Sequence, residues 1–250
     1  MIGMSIATLA YAETAFAEEL FREESRTFEY IKEQAQSVDY TVEEIYDPDN
    51  KGAPKNILIG TVHNRDNLDR ILNILSNSLR PGDILATEGL DDEFDKHLQE
   101  AKERYQLEDE YMQKIATEYK SRHIRKNPQF ISLEQMATDK ETQLVGADNT
   151  VLAILQTHIN MTMNFTADPN QRAQLYKTYI DMSRQRTQNM ANVLVSLSGN
   201  ANNQQNYLVT GAIHLGLYPR EEPILTHRMK SERLSYIMLR PKELTIPPQD

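Results

Sequence analysis

Short apolar runs that alternate with long helical stretches set the strongest limit on the fold of this chain. In chain order the runs are Ile57–Gly60, Ile84–Thr87, Leu144–Ala147, Tyr207–Gly211 and Tyr236–Leu239. Brief apolar runs bounded by turn residues are typical of strands that are buried on both faces. Strands that alternate with helices predict an α/β fold with a mostly parallel central sheet covered by helices.

Helical periodicity fills the intervals between these runs. Apolar side chains recur at spacings of three and four at Leu68, Ile71, Leu72, Leu75 and Leu79. Asn64 or Asp66 is a candidate cap for that helix. Further helical stretches run from about Asp91 to Lys126, from Thr150 to Met163 and from Pro169 to Leu197. We expect one α/β domain over residues 21–250, a length at which one such domain is ordinary.

Polar residues with catalytic or ligand chemistry follow four of the apolar runs. The runs ILIGTVH and YLVTGAIH end in His63 and His214, DILAT is followed by Glu88, and LVGA is followed by Asp148. Parallel strands all point the same way, so residues just beyond their carboxyl ends gather along one edge of the sheet, where open α/β folds place their ligands. The sequence therefore predicts a site at the C-terminal edge of the strands.

Two kinds of chemistry are open to these four residues. Two imidazoles and two carboxylates could ligate Zn²⁺, Mn²⁺, Fe²⁺ or Co²⁺. They could equally share a proton-transfer task without a metal. Taken singly, a histidine or an acid after a strand is more often a helix cap or a loop residue with its hydrogen bonds satisfied, so the prediction depends on all four residues together.

A fifth candidate, Arg186, lies in the middle of an apolar helical stripe. The stripe consists of Tyr179, Met182, Arg186, Met190, Val193 and Leu197. A guanidinium in such a place needs an acid partner or a route to water. Alternatively it reaches the sheet edge, where its fork of donors suits an anionic substrate group or an oxyanion.

Composition excludes several other classes of function. The chain has no cysteine, which rules out thiol catalysis, disulfides and cysteine-based metal sites. A net charge of −10 does not favour nucleic acid, and we interpret the basic run from Lys120 to Lys126 as a solvated helix end. Phosphate-binding glycine loops, HExxH and GxSxG are missing from the sequence. No stretch approaches the roughly 18 apolar residues of a membrane helix, so we expect no stable membrane insertion.

The first 20 residues allow two interpretations. They are small and apolar, and the Ala-x-Ala patterns at 10–12 and 15–17 suit signal-peptide cleavage. No Lys or Arg precedes Arg22, however, and the alternative is an amphipathic helix. The pattern favours export over a cytoplasmic location.

The ordered motifs resemble those of a known family. They are GTVH, PGDILATE, GADN, RQRTQNMA and LVTGAIHLGL, spread over residues 55–240. In order and spacing they are similar to the TraB/TIKI/GumN proteins, which belong with the erythromycin esterase and ChaN-like proteins in one superfamily. By position, the resemblance implies His63, Glu88, Arg186 and His214 as site residues, with Asp148 beside them.

That resemblance implies two classes of function. Members of the superfamily include metal-dependent proteases, metal-independent esterases with a histidine base, and haem- or iron-binding lipoproteins. We therefore expect a hydrolase acting on a peptide or small-molecule substrate, with Mn²⁺, Co²⁺ or Zn²⁺ as the candidate metal. The alternative is a protein that holds haem, iron or a peptide without turnover, although the N-terminus lacks a lipobox cysteine. The remaining histidines, at positions 97, 123, 158 and 227, we interpret as structural.

Overall fold

The structure is a computed structural model. It describes residues 27–62, 64–124, 128–199, 204–217 and 222–244, without the side chains of 122–124 and 128–130. The first 26 residues, on which the signal-peptide prediction depends, lie outside the described residues. So do His63, residues 125–127, which include the last two residues of the basic run, and the side chain of His123.

A mixed six-stranded sheet forms the centre of the described chain. The strands are β1 (Tyr40–Tyr46), β2 (Asn56–Thr61), β3 (Ile84–Thr87), β4 (Gln143–Gly146), β5 (Asn206–Gly211) and β6 (Tyr236–Pro241). Their order across the sheet is β1-β6-β2-β5-β3-β4. β1 pairs antiparallel with β6, and every other neighbouring pair is parallel. The predicted α/β class with a mostly parallel sheet is confirmed.

Eight α-helices occur in the described residues. They are α1 (Phe28–Ser37), α2 (Arg65–Ser78), α3 (Phe94–Tyr105), α4 (Asp109–Ile124), α5 (Pro128–Asp139), α6 (Thr150–Phe165), α7 (Pro169–Ser198) and α8 (Ile224–Ser231). A 3₁₀ turn, Ala212–Leu215, follows β5 directly. Asn64 caps α2, since its side chain accepts a hydrogen bond from the Asn67 amide at 2.8 Å.

The two faces of the sheet bury separate apolar clusters. Successive side chains of a strand point to opposite faces, so Ile57 and Ile59 join α1, α2 and α5 on one side. Leu58 faces the other side, where Met190 and Leu194 of α7 pack with α8. Every residue of β2 and β5 is buried. Helices therefore cover both faces, which explains why these runs read as continuously apolar.

A third apolar cluster joins helices α3, α4, α6 and α7. It contains Phe94, Leu98, Met112, Ile115, Val151, Leu152, Ile154, Leu155 and Met182 among others. Helices α3 and α6 are the helices that follow β3 and β4 along the chain.

The predicted strands and helices agree with the observed elements to within about two residues at each end, except in one stretch. The segment from Asp91 to Lys126, predicted as one helix, is two helices separated at Gln106, which has a left-handed backbone with φ 53°. A residue in that conformation ends a helix. The stretch Phe130–Leu133 belongs to α5. Among the described helices, none is both long enough and apolar enough to cross a membrane.

Candidate functional site

Three neighbouring parallel strands bring three of the predicted residues together. Glu88 directly follows β3, Asp148 follows β4, and His214 lies in the 3₁₀ turn after β5. β5 pairs with β3, and β3 pairs with β4. Arg186 reaches this group from α7. Four of the five predicted site residues therefore meet, and the fifth, His63, lies outside the described residues.

Arg186 is the central donor of the cluster. Its Nε donates to Asp148 Oδ1 at 2.8 Å, and its Nη2 donates to Asp148 Oδ2 at 2.7 Å and to Glu88 Oε1 at 2.8 Å. Its Nη1 donates to the side-chain oxygen of Gln156 at 2.9 Å. These contacts use four of the five N–H groups of a guanidinium. The sequence predicted that Arg186 needs an acid partner or a route to water. The structure gives it two acid partners, Asp148 and Glu88.

Burial and charge act in opposite directions on Arg186. The side chain is 11% exposed, and burial lowers the pKa of the guanidinium. The charges and hydrogen bonds of Asp148 and Glu88 outweigh burial, so the pKa of Arg186 rises above its ordinary value. Arg186 is therefore a permanent cation shared between two acids.

Asp148 is fully engaged as an acceptor. In addition to the two contacts from Arg186, its Oδ1 accepts from the Asn149 amide at 2.8 Å and its Oδ2 from the Gly89 amide at 3.2 Å. The side chain is 1% exposed. Because each carboxylate oxygen already has two donors, Asp148 is suited to fixing the loop after β3 and to orienting Arg186, and poorly suited to metal ligation.

Glu88 is held at both carboxylate oxygens. Its Oε2 accepts from the Thr210 hydroxyl at 3.0 Å and from the backbone amide of Gly211. Its Oε1 accepts from Arg186 and lies 3.6 Å from His214 Nε2. The side chain is 15% exposed. Oε1 therefore faces the imidazole as well as the guanidinium.

The second ring nitrogen of His214 contacts a hydroxyl. Thr187 Oγ1, one helical turn beyond Ser183, lies 2.7 Å from His214 Nδ1. The histidine is 2% exposed, so its ring is held between α7 and Glu88. Glu88 Oε1 and His214 Nε2 thus face each other as an acid–base pair.

A tight loop after β3 carries Glu88. The backbone of residues 90–92 passes so close to Gly146 that a β-carbon there would lie 2.8 Å from the Asp91 and Asp92 amide nitrogens. The Gly146 amide donates to the Asp92 carboxylate at 2.9 Å. This glycine thus permits a close approach between β4 and the loop that carries Glu88.

A buried aspartate fastens the same loop to two helices. Asp91, whose side chain is fully buried, accepts from His97 Nδ1 at 2.8 Å and from both the amide and the hydroxyl of Thr150. Burial lowers the pKa of His97, but the hydrogen bond and the charge of Asp91 outweigh it, so the pKa is raised. The interpretation of His97 as structural fits this contact.

The other two histidines with described side chains lie away from the cluster. His158 lies between Tyr111, with the hydroxyl 2.6 Å from Nδ1, and Glu118, whose carboxylate is 2.9 Å from Nε2. These contacts connect α4 to α6. His227 is an exposed residue of α8.

A cleft of about 490 Å³ is lined in part by residues that are adjacent in sequence to members of the cluster. Its lining includes Asn149 and Gln185, the chain neighbours of Asp148 and Arg186. Glu100, Glu103 and Arg104 of α3 contribute charges of both signs. Such a lining suits a polar ligand better than an apolar one.

Sequence reasoning missed the residues that hold the site residues in place. Thr187, Thr210 and Gln156 each bond to a predicted site residue. Thr187 lies within the motif RQRTQNMA, directly after Arg186, but the motif assigned it no role. Gln156 lies on a helix where an amide side chain is ordinary, and no local pattern marked it. Thr210 belongs to the predicted strand YLVTG, where its position just before the glycine was the only available signal.

Comparisons of the chain with protein-family models, with curated proteins and with solved structures gave no match. The resemblance to the TraB/TIKI/GumN proteins stays a prediction from the motifs.

Proposed function

We propose that the protein is a hydrolase of the TraB/TIKI type, with an erythromycin-esterase-like fold and its site at the C-terminal edge of the strands. The observation that carries the proposal is the facing pair of Glu88 Oε1 and His214 Nε2, 3.6 Å apart. Hydrogen-bond contacts fix both side chains: Glu88 contacts Arg186 and Thr210, and His214 contacts Thr187. A fixed acid–base pair of this kind is what activation of a water molecule requires.

In the proposed reaction, His214 acts as the base. Nε2 accepts a proton from water while the water oxygen attacks the carbonyl carbon of an ester or amide. The imidazolium then returns that proton to the leaving oxygen or nitrogen as the bond to carbon breaks. Glu88, adjacent to Nε2, stabilises the imidazolium through its charge.

Arg186 takes a positioning role in this proposal. The sequence also allowed a role in stabilising an oxyanion, but the charge of Arg186 lies between two carboxylates at 2.7 and 2.8 Å. It therefore fixes Glu88 in front of His214 and offsets the repulsion between the two acids.

A divalent transition metal fits part of this donor set. Glu88 Oε1 and His214 Nε2, 3.6 Å apart, would be the two described atoms to hold such an ion, since carboxylate oxygen and imidazole nitrogen are common ligands of these metals. The described residues hold no group of three histidine or acidic side chains suited to a metal. A third ligand would thus be His63, as the motif predicts. Such a metal, when bound, lowers the pKa of a water molecule on it.

The first experiment measures metal content and hydrolysis together. Wild type, His63→Ala, His214→Ala and Glu88→Gln are loaded with Mn²⁺, Co²⁺ or Zn²⁺, desalted, and assayed against ester and peptide panels. His227→Ala is the matched control because that histidine is exposed on α8. We expect Glu88→Gln to lower the rate of hydrolysis about 100-fold or more, which is the usual contribution of a general acid–base group to the rate. His227→Ala should leave the rate unchanged.

The two forms of the proposal give different results. Stoichiometric metal that both histidine variants lose supports the metal form, and metal-independent hydrolysis that requires His214 supports the metal-free form. Hydrolysis that is absent from wild type under all loadings contradicts the proposal. A haem absorption band in wild type that persists in Glu88→Gln would instead indicate the binding-only alternative.

A further inference from the structure

The hydroxyl of Thr187 has two polar neighbours and one hydrogen. Thr187 Oγ1 lies 3.0 Å from the Ser183 carbonyl oxygen and 2.7 Å from His214 Nδ1. The residue is 5% exposed and His214 is 2% exposed, so bulk water does not replace either contact. The position of that one hydrogen decides the state of the imidazole.

The Ser183 carbonyl can only accept a hydrogen bond. The contact between Thr187 and Ser183 is therefore a hydrogen bond only when the hydroxyl donates to it, as threonine hydroxyls on helices commonly do. With its hydrogen used in this way, the hydroxyl oxygen can only accept from His214. Both contacts are satisfied together when the ring carries its hydrogen on Nδ1.

We propose that Thr187 holds neutral His214 as the Nδ1–H tautomer, which leaves the Nε2 lone pair directed towards Glu88. Thr187 is thus a positioning residue, since it acts through the imidazole. The tautomer follows from the contacts of Thr187 alone. Its use, as the lone pair that accepts a proton or binds a metal, rests on the proposed function.

The opposite tautomer satisfies fewer groups. A hydrogen on Nε2 would point towards Glu88 Oε1, but the separation of 3.6 Å exceeds the usual hydrogen-bond range of about 2.7–3.2 Å. The Thr187 hydroxyl would have to turn towards Nδ1 and lose its bond to Ser183. Glu88 already accepts from Arg186, Thr210 and the Gly211 amide, so it gains little from a further donor.

The test is nitrogen NMR of the histidine rings in metal-free protein labelled with ¹⁵N-histidine. Spectra are recorded at alkaline pH, where the rings are neutral, and the His214 signals are assigned by their loss in His214→Gln. We expect Nδ1 to have the shift of a protonated ring nitrogen and Nε2 that of an unprotonated one. Thr187→Ser should retain this pattern, and Thr187→Val should move both shifts towards a tautomer mixture or towards Nε2–H.

A matched control separates the imidazole contact from the helix contact. The hydroxyl of Thr157 donates to the Ala153 carbonyl at 3.0 Å within α6, so Thr157→Val removes the same kind of helical bond elsewhere. It should leave the His214 signals unchanged. If Thr187→Val does not fold, the wild-type and Thr187→Ser spectra still decide the tautomer.

Two results overturn the inference: an Nε2–H pattern in wild type, or an unchanged Nδ1–H pattern in folded Thr187→Val. Neither depends on catalysis, so loss of the proposed function leaves this result intact. If hydrolysis or metal binding is found, Thr187→Val should weaken it about 10- to 100-fold and Thr187→Ser should restore it, as groups that orient a ligand or base do.

Discussion

Arg186 and Asp148 form a two-point contact, with Nε on one carboxylate oxygen and Nη2 on the other at 2.8 and 2.7 Å. The same Nη2 also reaches Glu88, so one guanidinium joins the carboxyl ends of β3 and β4 to helix α7. Two acids that would otherwise repel each other are held on one cation. The position of Glu88 in front of His214 depends on this contact.

Replacing Arg186 with lysine should destabilise the protein severely. A lysine ammonium has no planar fork and cannot satisfy Asp148 on both oxygens while it also reaches Glu88. A hydrogen bond to a charged group contributes about 1.5–3 kcal/mol to the unfolding free energy, and lysine loses at least one of those that Arg186 makes. Urea unfolding followed by circular dichroism measures the loss.

Arg184 supplies the control for that experiment. It lies on the same helix, is 45% exposed, and pairs with Glu222 at 2.8 Å. Because an exposed ion pair contributes at most about 1 kcal/mol, Arg184→Lys should change stability little. Equal losses of unfolding free energy in the two variants would show that the buried guanidinium of Arg186 contributes no more than an exposed ion pair.

Gly146→Ala should destabilise the protein and displace the loop that carries Glu88. The new β-carbon would lie 2.8 Å from backbone atoms of residues 90–92, and backbone cannot move aside as a flexible side chain does. We expect a loss of about 1–3 kcal/mol, the usual cost of overpacking. Thermal and urea unfolding measure it.

Gly199→Ala is the matched control, because Gly199 has helical backbone angles and the nearest atom that a β-carbon there would meet lies at 3.6 Å. That substitution should be neutral or slightly stabilising. A tolerated alanine at position 146 would mean that the loop does not approach β4 as described.

The sequence predicted the sheet and the gathering of Glu88, Asp148 and His214, because strand direction and hydrophobic period are local properties. It also marked Arg186, since a cation in an apolar stripe needs partners. It did not predict which donors bind each of the two carboxylates. That Asp148 is enclosed by donors while Glu88 faces an imidazole depends on contacts between residues far apart in sequence, which no spacing reveals.

Thr210→Val should remove one hydrogen bond to Glu88 with little change in the shape of the side chain at position 210. Thr210 donates to Glu88 Oε2 at 3.0 Å from the end of β5, and valine matches threonine in volume but has no hydroxyl. Loss of a hydrogen bond to a charged acceptor costs about 1.5–3 kcal/mol. Unfolding free energy measures the cost, and Thr210→Ser should recover most of it. A valine variant as stable as wild type would indicate that Arg186 and the Gly211 amide suffice to fix Glu88.

The contact between His97 and Asp91 should make stability depend on pH. Burial lowers the pKa of His97, but the hydrogen bond and charge of Asp91, with Glu100 and Glu93, outweigh burial and raise it in the folded protein. The folded state therefore binds the proton more tightly than the unfolded state, whose histidine pKa is about 6.5. The resulting stabilisation is complete below that pH and is lost as the pH rises through the folded pKa of His97.

The substitution His97→Asn tests this pH dependence, because an asparagine side chain keeps a donor near the Nδ1 position without titrating. The stability difference between wild type and His97→Asn should be larger at about pH 5.5 than at about pH 9. Urea unfolding at both pH values measures this difference, with the exposed His227→Asn as the control. A difference that grows towards alkaline pH would contradict the raised pKa of His97, and would mean that the neutral imidazole is the form that Asp91 and the surrounding helix favour.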